Sequence, residues 1–150
     1  MRTLVLTFLV LVATQGAARA DFGIGLFVGE PTGLDLKIDL QPRSAIDIVL
    51  GVVSINDGGR DVSYGHLTYL YTLTVARGRT VRIPLRLGIG ASLFGVTEDN
   101  TQLAARVPFE LGLRFRRSPL EIYGEIAFVL RLIDDVDTNI DGGIGLRLYF

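Results

Sequence analysis

The 150-residue chain contains no cysteine and no tryptophan, a single lysine (Lys37) and a single histidine (His66). Lacking cysteine, it has no disulfide framework, thiol nucleophile, thiolate metal site or acylated-cysteine anchor, so any attachment to a membrane must come from the fold. It also has little room. One domain is expected at this length, and no stretch reads as a linker. Long hydrophobic runs are scarce too, since the only continuous one lies at the extreme N-terminus.

That run extends from Leu4 to Ala13, follows Arg2, and precedes the small-residue stretch Ala18-Arg19-Ala20. It is about half the length that a spanning helix needs, roughly twenty residues. Its charge, length and A-x-A ending are those of a cleaved secretory signal peptide, expected over residues 1–20 and leaving 21–150 as the mature domain. The 15 Lys and Arg lose Arg2 and Arg19 with the leader, leaving 13 against 16 acidic residues, a net charge of −3. Such a balance gives no electrostatic reason to expect a nucleic-acid partner.

From Phe22 onward apolar residues recur at every second position, the period of a strand with two unlike faces. Phe22, Ile24, Leu26 and Val28 alternate with Gly23, Gly25, Phe27 and Gly29; after Gly29-Glu30-Pro31-Thr32-Gly33, Leu34, Leu36, Ile38 and Leu40 alternate with Asp35, Lys37 and Asp39. The pattern continues through a third strand around Ile46–Val52, a fourth from Leu67 to Val75, a fifth from Val81, a sixth from Arg106 to Phe115, a seventh from Glu121 and an eighth ending at Phe150. No segment sustains helical spacing. Eight strands of roughly nine to fourteen residues suit a bilayer crossing at a tilt of about 45°. The expected fold is therefore all-β, a single up-and-down antiparallel transmembrane β-barrel after the leader.

A soluble lipocalin-like barrel, with its apolar face turned inward around a hydrophobic ligand, would alternate in the same way. The composition of the polar row separates the two. An eight-stranded barrel is just wide enough to be filled by side chains, so a lumen needs small residues set against long ones. Here the glycines face Arg82, Arg86, Arg106, Arg114, Arg131, Arg147 and Lys37, together with Asp35, Asp39, Asp47, Glu110, Glu121, Glu125 and Asp141. Seven bases and seven acids balance, and charges in a poorly hydrated tube must pair. An Arg-carboxylate network filling the lumen is expected, and with it no open pore. Pro84 and Pro108 resist this reading, since a closed barrel has no edge strand; a lumen-facing bulge at each is the expected remedy.

The connections divide by charge. Alternate turns carry Arg43, Arg77, Arg79, Arg116 and Arg117 and no acid, whereas the others carry Glu30, Asp57, Asp61, Glu98, Asp99, Asp134, Asp135 and Asp137 with only Arg60. Short periplasmic turns and longer outer loops are the rule in such barrels, so the arginine-bearing end is expected to face the periplasm. Phe22, Phe115 and Phe150 would sit at that rim.

Chemistry is sparse. His66 has Ser63, Thr68 and Asp61 nearby in sequence, a weak nucleophile-base set read here as ordinary strand-end residues. Asp134-Asp135-Val136-Asp137-Thr138-Asn139 lacks the glycine and closing glutamate of an EF-hand and reads as a solvated acidic loop. No catalytic, cofactor-binding or metal residues are assigned.

The leader, the first hairpin Gly29-Glu30-Pro31-Thr32-Gly33-Leu34 and the terminal Tyr149-Phe150 make the chain resemble the small eight-stranded Gram-negative outer-membrane barrels related to the OmpA transmembrane domain and OmpX, and uncharacterised bacterial barrels with the same first turn. The resemblance implies location in the outer membrane among its lipids, and assembly through barrel-insertion machinery that reads Leu146, Leu148 and Phe150. A monomer with a non-enzymatic structural or surface-interaction role is expected. The alternatives are the soluble barrel above and a lipid A-modifying enzyme resting on His66.

Overall fold

The computed structural model describes residues 21–55, 60–95, 101–132 and 136–150. The leader, and with it the expected cleavage site, lies outside the described residues. Eight strands follow one another: β1 (Phe22–Glu30), β2 (Thr32–Gln41), β3 (Ser44–Ile55), β4 (Arg60–Arg77), β5 (Val81–Phe94), β6 (Gln102–Phe115), β7 (Leu120–Arg131) and β8 (Asp137–Tyr149). Each pairs antiparallel with the next, and β1 closes on β8 from Gly23↔Tyr149 to Glu30↔Gly142. The result is a closed up-and-down barrel. Closure removes the unpaired edge that an open sheet of such strands would expose.

The alternation sorts the side chains to two sides of this wall. Leu26, Val28, Ile89, Ile126, Phe128 and Ile144 point outward and are between 58% and 66% exposed, whereas Asp35, Arg106, Glu110, Glu121 and Arg147 point inward and are fully buried. This is the inverse of a soluble ligand-binding barrel, whose apolar rows must turn inward.

At one end, the turn end, the connections 42–43, 78–80 and 116–119 are two to four residues long; at the other, the loop end, 95–101 and 132–136 are longer, 56–59 has four residues, and β1 and β2 are joined at Pro31 alone. Gly29, at φ 153° in a region that favours glycine, opens that hairpin, and its N–H and C=O both bond the Thr32 hydroxyl. Glu98, Asp99, Asp134 and Asp135 lie outside the described residues, as does Asp57.

Three expectations need correction. The parity of β4 slips: Thr72 pairs with Arg86 but Thr74 with Leu85, so Leu73 is an extra residue, and beyond it Val75 pairs with inward Pro84 and Arg77 with Arg82. Val75 thus leaves the outer row, because a bulge adds one residue to a period of two. The prolines do face the lumen, but the β5–β6 register keeps the same offset on either side of each, with no residue inserted. The remedy at both is a glycine diagonal to neither but directly opposite, as a Cβ on Gly112 would lie 3.0 Å from the Pro84 ring and one on Gly88 2.9 Å from that of Pro108. Finally, β4 begins at Arg60, well before Leu67, and β8 takes in Asp137, which the sequence pattern had assigned to a loop. His66 is therefore inside a strand, not at its end.

Candidate functional site

Among the described residues, buried polar chemistry is concentrated in the barrel interior. Arg147 of β8 occupies its centre. Its Nε donates to Asp35 Oδ2 at 2.6 Å, Nη2 to Asp47 Oδ1 at 2.7 Å and Nη1 to Glu110 Oε2 at 2.9 Å, so one guanidinium joins carboxylates from β2, β3 and β6. Its plane also lies over the Tyr123 ring, 3.6 Å from the centroid. The room for that ring comes from Gly145 across the β7–β8 ladder, where an added Cβ would fall 2.1 Å from Tyr123 Cε1.

Around this centre the other pairs are arranged in tiers. Toward the turn end, Arg86 makes a fork to Glu121 at 2.6 and 3.1 Å and also contacts Glu110. Lys37 bonds Asp39 and, at 3.2 Å, the Tyr149 hydroxyl, which in turn donates to Glu121 Oε2 at 3.1 Å. Toward the loop end, Arg106 donates to Glu125 at 2.5 Å and to Thr68 Oγ1 at 3.1 Å. Planar forks and multiple partners per ion are what low-dielectric burial requires, because an unpaired charge there costs several kcal/mol.

Beyond Arg106 the lumen changes character. Val53, Tyr64, Phe94, Ala104, Ala127 and Val129 form an apolar cluster, with Tyr64 and Phe94 edge to face at 4.9 Å. A second cluster of Phe27, Val49 and Tyr123 sits beside the Arg147 fan. Ala104 and Ala127 are fully buried, small residues set against the large rings.

Of the residues expected in the ionic row, the structure brings together Asp35, Lys37, Asp39, Asp47, Arg86, Arg106, Glu110, Arg114, Glu121, Glu125 and Arg147. Three stand apart. Arg82 is exposed at the turn end and, among the described residues, pairs with no acid; Arg131 stacks over Phe94 at 5.2 Å; Asp141 accepts a bond from Asn139 at 3.1 Å. Arg114 also reaches Asp21 at 2.7 Å, a residue the strand pattern had not included. The aromatic members were also missed as participants. Their signal was present, since Phe27, Tyr64, Phe94, Tyr123 and Tyr149 share the parity of the charges.

His66 is buried in this lumen. Its Nδ1 lies 3.1 Å from the Tyr64 hydroxyl and its Nε2 3.5 Å from Asp47 Oδ2, too poorly aligned for a hydrogen bond. Alternation places Ser63 on the opposite face of β4, Thr68 serves Arg106, and the Asp61 side chain lies outside the described residues. Among the described residues, neither Ser63 nor Thr68 is brought onto the imidazole. No group of His, Asp and Glu positioned to hold a metal occurs among the described residues.

No protein-family model matches the chain, and no curated protein does. Among solved structures, it is similar to the N-terminal β-barrel domain of Pseudomonas aeruginosa OprF, with a TM-score of 0.65 at 13% identity over 87% of this chain and 98% of that one. A match to Ail, the attachment invasion locus protein of Yersinia pestis, has a TM-score of 0.36 at 14% identity over 87% and 94% of the two chains. By its closed eight-strand ladder and its likeness to the OprF domain, the chain has the fold of an eight-stranded up-and-down β-barrel.

Proposed function

We propose that this protein is a non-enzymatic barrel of the Gram-negative outer membrane, closed to ions, with a structural or surface-interaction role. The observation that carries the reading is the inversion of the wall: outward rows of Leu, Ile, Val and Phe around an interior of paired charges. Water gives no reason to expose such rows, whereas hydrocarbon requires them. Because Arg106, Arg147, Glu110, Ala104 and Ala127 are fully buried, the tube is filled in both its ionic and apolar tiers.

Lipid of the outer membrane is then the partner of the outer face. Leu146, Leu148 and Phe150 lie on that face near the chain end, exposed and in phase, as a strand offered to insertion machinery requires. The protein acts as a monomer, since closure leaves no edge to share. Its turn end faces the periplasm and its acidic loop end the exterior.

Two measurements test this. Membrane fractionation should recover the protein with the outer membrane, migrating faster unboiled than boiled in cold detergent. In planar bilayers the purified barrel should give little or no conductance. Release as a monodisperse monomer into detergent-free buffer would overturn the membrane assignment, and a steady open current would overturn the sealed lumen.

A further inference from the structure

Three adjoining cavities of about 650, 560 and 200 Å³ open at the turn end, and Arg82 and Arg114 line all three. They form one vestibule beneath the ionic tiers. Its walls add Arg43, Arg77, Arg116 and Arg117, and the acids lining it among the described residues are Asp21 and Asp39. Both acids are committed to Arg114, and Asp39 to Lys37 as well.

The backbone register makes this concentration costly. Arg77 lies directly opposite Arg82 across β4 and β5, and Arg82 directly opposite Arg114 across β5 and β6, so three guanidinium groups stand in one cross-strand row. Like charges in directly facing positions destabilise a sheet. Arg77 belongs to the row only because the extra residue Leu73 reverses the parity of the strand below it. Among the described residues, Arg77 and Arg82 form no ion pair, and neither do Arg43, Arg116 and Arg117, in contrast to Arg86, Arg106 and Arg147 above them, each of which meets at least one carboxylate.

We propose that this vestibule is a binding site for a phosphate-bearing anion, with Arg82 at its centre and Arg77, Arg114, Arg116 and Arg117 around it. A guanidinium fork matches two phosphate oxygens at once, and several forks converging from different strands and a turn suit an anion carrying more than one charge on tetrahedral oxygens. Pyrophosphate and the headgroup of an anionic phospholipid share that chemistry, and the main cavity accommodates either. The site depends on the fold alone. Which compartment it opens toward rests on the orientation proposed above, and the test does not.

The protein is refolded in zwitterionic micelles, and its melting is followed by the loss of fast migration of unboiled samples after heating. Pyrophosphate should raise the midpoint by several degrees in a saturable way, as mass action on a bound anion requires, while potassium chloride at equal ionic strength should not. Arg82→Gln should melt higher than the parent without anion, because the row loses its central charge, and should no longer respond to pyrophosphate. Arg77→Gln should act in the same directions and serves if the first variant does not refold. To separate the sources, parent and Arg82→Gln are compared in phosphatidylglycerol and phosphatidylcholine nanodiscs. An Arg82-dependent gain from phosphatidylglycerol assigns the site to lipid headgroups, and a gain from pyrophosphate alone assigns it to a soluble anion. Equal effects of chloride and pyrophosphate, an Arg82→Gln variant that responds like the parent, or no response in either medium would overturn the proposal.

Discussion

Toward the loop end the lumen is filled by Val53, Tyr64, Phe94, Ala104, Ala127 and Val129, and toward the turns by Arg86, Arg147, Asp35, Asp47, Glu110 and Glu121. Both stretches are buried within the same eight-stranded wall, yet their stability rests on different forces. The apolar tier is held by burial and ring packing, so each residue contributes nearly independently and a loss leaves only a cavity. The ionic tier is held by mutual neutralisation, so one missing ion leaves its partners short of opposite charge, wholly for Asp35 and in part for Glu110. Charge is densest in this interior where long side chains from several strands converge on one point, the Arg147 guanidinium.

The largest expected effect comes from breaking the ionic tier at its centre. Arg147→Met takes the paired arginine from Asp35 and Asp47, while Glu110 and Glu121 keep Arg86; losing one partner of a buried pair costs about 3–5 kcal/mol. Urea titration of the refolded barrel should register at least that loss, and a variant within about 1 kcal/mol of the parent would contradict the account. Next is Phe94→Ala in the apolar tier, expected to cost about 3 kcal/mol, the low end for a buried aromatic, since part of the ring lies against the arginine of β7. Its effect should be additive with Arg147→Met if the two tiers are independent, which a double-mutant cycle reads directly. The smallest is Gly145→Ala. The added methyl would displace the Tyr123 ring from its seat, costing about 1–3 kcal/mol by overpacking, and Tyr123→Phe in the same background should not restore it, because the clash involves ring carbons.

Much of this architecture was readable along the chain. The strict alternation in β2, β5 and β6 announces strands with unlike faces, and the Gly and Arg content of the inner row announces a lumen. The exceptions are instructive. Leu73 has the same outward, apolar character as its neighbours, so nothing local marks it as the bulge that moves Val75 and Arg77 to the other side. The early start of β4 was hidden because Asp61 and Ser63 look like loop residues, although backbone pairing with β3 extends to Ile55↔Arg60. Pro84 and Pro108 look like strand breakers until their facing glycines are known.

Composition and period alone determined that this protein is a barrel of eight strands with a greasy exterior and a charge-balanced interior, because side-chain direction in a strand depends only on counting by two. Which arginine meets which carboxylate, and which arginines meet none, was decided by the closed structure. A guanidinium at the centre of a narrow tube touches residues from strands far apart in sequence, and their heights are set by ladder register and bulges that no single strand encodes.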